Sequence, residues 1–94
     1  MREMGWSVYI LLCDQKTFYV GIAKNVAERL TEHTRGYSPF TKKFSNFELL
    51  YTEEYITRTL AERREKQLKG WSVAKKEALI KGNVNELKRL SKGR

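Results

Sequence analysis

Residues 6–22 read WSVYILLCDQKTFYVGI, and this stretch decides the fold of the chain. Two runs of β-branched and aromatic side chains lie on either side of a polar break, Asp-Gln-Lys, at residues 14–16. Two such runs joined by a short polar loop predict a β-hairpin. A three-residue loop pairs positions whose numbers sum to an even value, so Tyr9 and Tyr19 are expected on one face. Gly21, which has no side chain, would let another group approach closely there.

A helix is predicted directly after the hairpin. Residues 25–28, Asn-Val-Ala-Glu, have the form of a capping box, and Gly36 can stop the helix about ten residues later. We expect its buried stripe to contain three apolar side chains, with Arg29 and His33 as an i, i+4 pair at the border. The stripe residues are Val26, Ala27 and Leu30.

A third strand and three more helices complete the predicted elements. In residues 47–52, Phe, Leu and Tyr alternate with Glu, Leu and Thr, which indicates a strand. A capping box at residues 59–62 predicts a helix that runs to Lys69 and is stopped by Gly70. Further helices are expected after the caps Ser72, over residues 73–80, and Asn83.

The order β-β-α-β-α-α-α indicates an α+β fold. We expect a single small domain in which a three-stranded antiparallel sheet is covered by helices on one face. A chain of 94 residues is long enough for one core and too short for two. Residues 5–82 are assigned to this domain, and residues 83–94 to a short basic C-terminal helix and tail.

The basic charge is concentrated in the second half of the chain. Residues 1–57 contain seven basic and seven acidic side chains, whereas residues 58–94 contain twelve basic and four acidic ones. A one-sided positive field attracts polyanions, of which nucleic acid is the commonest in a cytoplasm. The alternative is that these Lys and Arg side chains only solvate helical surfaces.

Several classes of protein do not fit the composition. The longest apolar run, residues 8–13, has six residues, whereas a membrane-spanning helix needs about twenty. No leader pattern precedes Trp6, and the single Cys13 cannot form an intrachain disulfide, so we expect a cytoplasmic protein that does not enter a membrane. One Cys and one His also cannot supply the four ligands of a structural zinc site.

One carboxylate stands in an apolar row of the predicted long helix. Ala61, Glu65 and Leu68 lie at i, i+4 and i+7, so they share a helix face. A carboxylate in such a row needs a metal, a partner or exposure at the rim. The alternative for Glu65 is an edge position paired with a nearby Lys or Arg.

These residues together resemble the GIY-YIG nuclease superfamily. The elements are Ser7-Val8-Tyr9, Tyr19-Val20-Gly21, Arg29, His33 and Glu65, in this order and spacing. The segments Leu50-Tyr51 and REKQLKGW at residues 64–71 are most similar to the small stand-alone GIY-YIG proteins of the UPF0213 type. No three-residue element is specific by itself, but the five elements in this order are specific for the family. The resemblance covers about residues 6–80.

The resemblance implies metal-dependent hydrolysis of a phosphodiester. Tyr9 would activate or orient the attacking water, and Tyr19 would contribute to the same network. Arg29 would stabilise the developing phosphate charge, and His33 is the other candidate general base. Glu65 would hold one Mg²⁺ or Mn²⁺ ion, bound weakly without substrate. In this chain Ser-Val-Tyr replaces the Gly-Ile-Tyr of the family name.

The expected partner is nucleic acid, DNA rather than RNA, bound with little sequence specificity. Ile22 stands where the nuclease subunit of nucleotide excision repair carries a lysine, and Lys24 or Lys43 would have to replace that cation. We expect a monomeric endonuclease of DNA repair or processing, with a protein partner as a source of substrate specificity. The alternative is a non-catalytic or partner-dependent nucleic-acid-binding module with the same fold. The lysines expected to contact nucleic acid are Lys24, Lys42, Lys43, Lys66, Lys69, Lys75 and Lys76.

Overall fold

A three-stranded antiparallel sheet and four helices make up the part of the chain that the structure describes. The computed structural model describes residues 5–35 and 44–92. The strands, in the sheet order β2-β1-β3, are β1 (Trp6–Cys13), β2 (Thr17–Ala23) and β3 (Phe47–Tyr55). The helices are α1 (Val26–Thr34), α2 (Arg58–Lys69), α3 (Val73–Lys81) and α4 (Val84–Lys92). The α+β class and the predicted element order are confirmed.

The β1–β2 hairpin has the predicted three-residue loop. Asp14 and Gln15 adopt positive φ values of 51° and 62°. The Asp14 carboxylate accepts hydrogen bonds from the backbone N–H groups of Ser45 and Asn46, at 3.0 and 2.8 Å, and so ties the loop to the segment before β3. Tyr9 pairs with Gly21 in this register, so Tyr9 and Tyr19 share a face as expected.

Helices cover both faces of the sheet, so the prediction that they lie on one face is wrong. Val8 and Ile10 of β1 pack with Ala61 and Leu68 of α2. Tyr9, Leu11 and Cys13, which alternate with them along β1, form the other cluster, against which Val26 and Leu30 of α1 pack. Because β1 is the central strand and is apolar on both sides, each of its faces needs a cover. Five of the eight residues of β1 are therefore buried, at the centre of the molecule.

A β-bulge at Leu50 divides β3. Leu11 pairs with Leu49, but Ile10 pairs with Tyr51, so Leu50 is the extra residue. A one-residue shift reverses the faces of all later side chains. The strand prediction is confirmed, but Tyr51 does not share a face with Phe47 and Leu49, as simple alternation would require.

The helix caps agree with the sequence at α1, α3 and α4. The side chains of Asn25, Ser72 and Asn83 each accept a hydrogen bond from a backbone N–H in the first turn. The predicted start of α2 is wrong by two residues, because Thr57 and not Thr59 is the cap. Glu62, the last residue of the expected capping box, instead accepts a hydrogen bond from Arg58.

Glycines end two of these helices. Gly70 ends α2 as predicted, and Gly82 ends α3 in a left-handed conformation with φ 70°. Gly36, the predicted stop of α1, lies outside the described residues. In the described part of the chain, no helix combines the length and the apolar character needed to cross a membrane.

Candidate active site

Three aromatic side chains from three elements meet on the α1 side of the sheet. The Tyr9 hydroxyl lies 2.8 Å from His33 Nε2. The rings of Tyr19 and His33 meet edge to face with centroids 5.0 Å apart, and the centroids of Tyr9 and Tyr19 are 6.2 Å apart. Tyr9 is 1% exposed and His33 is 0% exposed. The two tyrosines and the histidine predicted from the sequence therefore form one cluster, most of it buried.

Gly21 makes room for this cluster. A Cβ atom at position 21 would lie 2.6 Å from the Tyr9 hydroxyl oxygen and 3.0 Å from Cε2 of Tyr19. Because a real Cβ never approaches another atom so closely, any other residue would force the tyrosines to move. The close approach predicted at Gly21 is confirmed, and the group that approaches is Tyr9.

The inner face of α1 differs from the prediction. Ala27 is exposed, while Val26, Arg29 and Leu30 are half-buried and His33 is fully buried. These four positions follow the i, i+3, i+4, i+7 spacing of one helix face, and Ala27 falls outside it. His33 therefore lies inside the apolar stripe and not at its border.

Arg29 lies beside the Tyr9 hydroxyl and is held by Glu32. The Arg29 Nη1–Glu32 Oε1 distance is 2.6 Å, and both side chains are about two-fifths exposed. Glu32 was not predicted as the partner of Arg29, although their i, i+3 spacing allows such an ion pair. Arg29 and Glu32 also line an open cleft of about 270 Å³, together with Lys24.

Burial controls the protonation of Tyr9 and His33. Desolvation, followed by the neighbouring Tyr19, raises the pKa of Tyr9 to about 12, while the Arg29 guanidinium acts in the opposite direction. Desolvation and then the Arg29 charge lower the pKa of His33 below its ordinary value. Both side chains are therefore neutral near pH 7, which is the state needed for a hydrogen bond between a phenol and an imidazole.

Glu65 lies on α2, one turn before Lys69. Its neighbours Ala61 and Leu68 are fully buried, so the predicted apolar row is confirmed. Glu65 Oε2 lies 3.1 Å from Lys69 Nζ, which is the ion pair anticipated as the alternative for this carboxylate. The Glu65 charge is also among the causes that raise the pKa of Tyr9, so Glu65 lies within electrostatic range of the cluster.

The seven predicted nucleic-acid-binding lysines occupy different environments. Lys69 and Lys76 line an open cleft of about 410 Å³ with Tyr19 and its strand neighbours Phe18 and Val20. Lys24 and Lys66 are exposed, and the Lys75 ammonium lies 4.4 Å from the centroid of the Trp71 ring. Lys42 and Lys43 lie outside the described residues.

The donor set fits only one kind of metal site. Within residues 5–35 and 44–92, no group of three or more His, Cys, Asp or Glu side chains could hold an ion. A single carboxylate suits Mg²⁺ or Mn²⁺, which keep several waters and complete their coordination with substrate phosphate. Glu65 is one-fifth exposed and its charge acts on Tyr9, so it fits this limited role.

Comparisons with known proteins agree with this fold. A family model described as the GIY-YIG catalytic domain matches residues 5–78. The chain therefore belongs to the GIY-YIG family.

The relatives to which the chain is similar are UPF0213 proteins. A UPF0213 protein of Natronomonas pharaonis is 38% identical over 74 residues, which cover 78% of this chain and 87% of the relative. A UPF0213 protein of Staphylococcus aureus strain Mu50 is 39% identical over 75 residues, which cover 79% and 92%. The solution NMR structure of a UPF0213 protein from Bacillus halodurans matches with a TM-score of 0.53 and 31% identity, over 81% of this chain and 82% of that one. The family suggested by the sequence motifs is confirmed.

Proposed function

We propose that this protein is a metal-dependent endonuclease that hydrolyses nucleic-acid phosphodiester bonds with little sequence specificity. One observation carries the proposal most strongly. The Tyr9 hydroxyl lies 2.8 Å from His33 Nε2, and the charges of Arg29 and Glu65 both act on that hydroxyl. The phenol of β1 is therefore hydrogen-bonded to a histidine and an arginine of α1, and the charge of a carboxylate on α2 also acts on it. A fold alone would not require this arrangement.

The burial of the aromatic cluster suggests a division of roles. Tyr19 is half-exposed and lines the cleft, so it is the phenol that can contact the attacking water. His33 is fully buried, so it would accept a proton by relay: the Tyr9 oxygen takes a proton from the water as the Tyr9 hydroxyl passes its own proton to His33 Nε2. Before reaction, Arg29 donates a hydrogen bond to the Tyr9 oxygen, and the Tyr9 hydroxyl donates a hydrogen bond to His33 Nε2. The neutral His33 then carries its single proton on Nδ1.

Arg29 and Glu65 supply the charges that phosphodiester hydrolysis needs. The Arg29 guanidinium, fixed by Glu32 and open to a cleft, can stabilise the charge that develops on the phosphate oxygens. Glu65 would hold Mg²⁺ or Mn²⁺, and the bound ion would act as a Lewis acid on the phosphate. Because Glu65 contributes one carboxylate, we expect the ion to bind mainly together with substrate.

Two lysine-containing clefts adjoin the cluster and are the proposed grip on the nucleic-acid backbone. Lys69 and Lys76 line the cleft that contains Tyr19, and Lys24 lines the cleft that contains Arg29. Contacts of lysine with phosphates hold a strand without reading its bases. We propose DNA as the substrate, a monomeric state, and a role in DNA repair or processing in the cytoplasm. A protein partner would supply substrate specificity.

A second candidate function is a nucleic-acid-binding module without turnover. Two observations favour it: Tyr9 is 1% exposed, and Glu65 is already paired with Lys69. A protein with this role would use its basic clefts and need no divalent ion.

The two functions are separated by incubating the purified protein with supercoiled plasmid and with duplex and single-stranded oligonucleotides. The endonuclease proposal predicts nicking or cutting with Mg²⁺ or Mn²⁺ and no cleavage in EDTA. The binding module predicts retarded migration of the nucleic acid, intact strands and no dependence on the ion. Intact substrates under all ionic conditions would refute the endonuclease proposal for the isolated chain.

A further inference from the structure

We propose that Lys69 exchanges between Glu65 and a substrate phosphate, and thereby couples nucleic-acid binding to metal binding. This inference rests on the proposed function, in which Glu65 is the metal ligand. The Lys69 ammonium lies 3.1 Å from the Glu65 carboxylate. The same side chain lines the cleft that also contains Tyr19 and Lys76. Lys69 thus contacts the expected metal ligand and borders the expected path of the substrate.

The exposed fractions of the two side chains in this ion pair indicate that Lys69 is the one that can move. The side chain of Lys69 is 56% exposed, whereas that of Glu65 is 21% exposed. Lys69 can therefore swing on its flexible four-carbon stem, while Glu65 is held beside the buried row of α2. An ion pair between side chains of this exposure is weak in water, so a phosphate can compete for the ammonium. No backbone movement is needed for the exchange.

The exchange produces a reciprocal effect. When a phosphate in the cleft attracts Lys69, the Glu65 carboxylate loses its counterion and becomes available to Mg²⁺ or Mn²⁺. When an ion occupies Glu65, the Lys69 ammonium is displaced toward the cleft, where it can bind phosphate. Each ligand must then raise the affinity of the other by the same factor. The site would acquire its ion when the substrate arrives.

Other cations near the site do not occupy this position. Lys66 is exposed on the same helix, one residue from Glu65, and has no ion pair with Glu65 among the described contacts. Lys76 lines the cleft but lies on α3. Arg29 is paired with Glu32. Lys66 is therefore the matched control, because it carries the same charge on the same helix without an ion pair to Glu65 among the described contacts.

The first experiment measures Mn²⁺ binding without nucleic acid, by the electron paramagnetic resonance signal of the free ion. Lys69→Gln removes the competing ammonium and is expected to raise the Mn²⁺ affinity about two- to fivefold. Lys66→Gln should raise it clearly less, and Lys69→Arg should stay near the parent protein. Equal gains for Lys69→Gln and Lys66→Gln would overturn the exchange, because they would show only a general effect of charge.

The second experiment measures binding of a fluorescein-labelled 16-base-pair DNA in EDTA by fluorescence anisotropy. Glu65→Gln frees Lys69 and removes a negative charge, so DNA affinity should rise. In a Lys69→Gln background, the same Glu65→Gln change should give a smaller rise, since only the charge effect remains. Equal rises in both backgrounds would contradict the exchange.

The proposed function fails through a different result. If Glu65→Gln leaves Mn²⁺ binding unchanged, Glu65 is not the metal ligand, and both the metal assignment and the exchange are refuted. If Glu65→Gln abolishes Mn²⁺ binding while Lys69→Gln behaves like Lys66→Gln, the metal assignment stands and only the exchange is refuted.

Discussion

At the scale of single residues, the contact between Gly21 and Tyr9 decides whether the site can form. Gly21 pairs directly with Tyr9, and the Tyr9 ring lies over the space that a side chain at position 21 would occupy. Because Gly21 has no side chain, the central strand can hold the Tyr9 ring on its α1 side. His33 reaches the same hydroxyl from α1.

Gly21→Ala is expected to destabilise the protein by about 1–3 kcal/mol, because overpacking forces the tyrosines out of position. Cleavage should fall together with stability, since the Tyr9–His33 contact would be disturbed. The matched control is Gly70→Ala, where the nearest atom to the new Cβ would be 3.6 Å away. Urea denaturation of both variants, with cleavage measured in parallel, provides the test. Equal stability for Gly21→Ala and the parent would contradict the packing described for Tyr9.

Tyr9→Phe removes the hydroxyl and keeps the ring that fills the core. If Tyr9 passes a proton to His33, the cleavage rate should fall about 100-fold or more, as for the loss of a general acid–base group. Tyr55→Phe is the control, because the Tyr55 hydroxyl contacts Glu53, away from the cluster. Single-turnover cleavage at saturating DNA distinguishes this effect from weaker binding. Parent-like rates for Tyr9→Phe would remove Tyr9 from the reaction.

The buried His33 also makes stability depend on pH. Its pKa is lowered in the folded protein, chiefly by burial, so the unfolded chain binds a proton more readily. The stability is therefore complete above about pH 6.5, the ordinary His value, and is lost as the pH falls below it. Urea midpoints between pH 7.5 and 5.5 should decrease for the parent and much less for His33→Gln. Parallel curves for the two proteins would contradict this assignment.

At the scale of elements, α2 is attached to β3 by one carboxylate. Glu53 accepts hydrogen bonds from Nε and Nη2 of Arg64, at 2.9 and 3.0 Å, and from the hydroxyl groups of Tyr51 and Tyr55. These hydrogen bonds lower the pKa of Glu53 although its burial acts in the opposite direction. Arg64 precedes Glu65 on α2, so this contact also fixes the part of the helix that carries Glu65.

Glu53→Gln should reduce the free energy of unfolding by about 2–3 kcal/mol, because hydrogen bonds to a charged group are lost and Arg64 remains half-buried. The lowered pKa means that this stabilisation is present above about pH 4.5 and is lost as the pH falls through the folded-state pKa of Glu53. Glu54→Gln, on the exposed side of β3, is the control and should change stability little. Thermal unfolding at pH 7 and pH 4 measures both effects. An equal loss for the two variants would contradict the assignment.

The elements themselves were predictable where their signals are local. The hairpin loop and the caps Asn25, Ser72 and Asn83 depend on neighbouring residues, and all are confirmed. The bulge at Leu50 was not predictable, because it depends on how β3 meets β1 and leaves no mark in the alternation of β3 alone. The cover on both sheet faces was missed for a related reason. The run of apolar residues in β1 was interpreted as a hairpin strand, although a continuous run also indicates a strand buried on both sides.

For the candidate site as well, the residues were predictable from the sequence, but their packing was not. The resemblance indicated Tyr9, Tyr19, Arg29, His33 and Glu65, and the structure brings the aromatic three into contact. The burial of His33 could not be predicted, because its depth depends on the packing of α1 against the sheet. The Glu65–Lys69 ion pair was anticipated only as an alternative, since an i, i+4 spacing allows such a contact without requiring it.

At the scale of the whole molecule, the proposed binding of the nucleic-acid backbone depends on which basic side chains line the clefts. Lys76 lines the cleft beside Tyr19, whereas Lys75, its neighbour on α3, lies against Trp71. The two lysines have the same charge and adjacent positions, so they form a matched pair. A uniformly solvating basic surface would make them equivalent.

Lys76→Ala is therefore expected to weaken DNA binding for unrelated sequences. It should also flatten the salt dependence of affinity by a slope of about 0.9, the value for one duplex phosphate contact. Lys75→Ala should change the slope less. Titrations of labelled duplex DNA at several salt concentrations measure both quantities. Equal slopes for Lys75→Ala and Lys76→Ala would leave the cleft without a demonstrated role in backbone binding.

Two variants, Glu65→Gln and Glu62→Gln, test whether metal-dependent hydrolysis takes place at the Tyr9–His33 cluster. The measurement is the cleavage of supercoiled plasmid by each variant in the presence of Mg²⁺. Both carboxylates lie on α2 and pair with a cation four residues away, but Glu62 pairs with Arg58, outside the cluster. We expect that Glu65→Gln abolishes cleavage and still binds DNA, while Glu62→Gln cleaves like the parent. Parent-like cleavage by Glu65→Gln would contradict metal-dependent hydrolysis at this cluster.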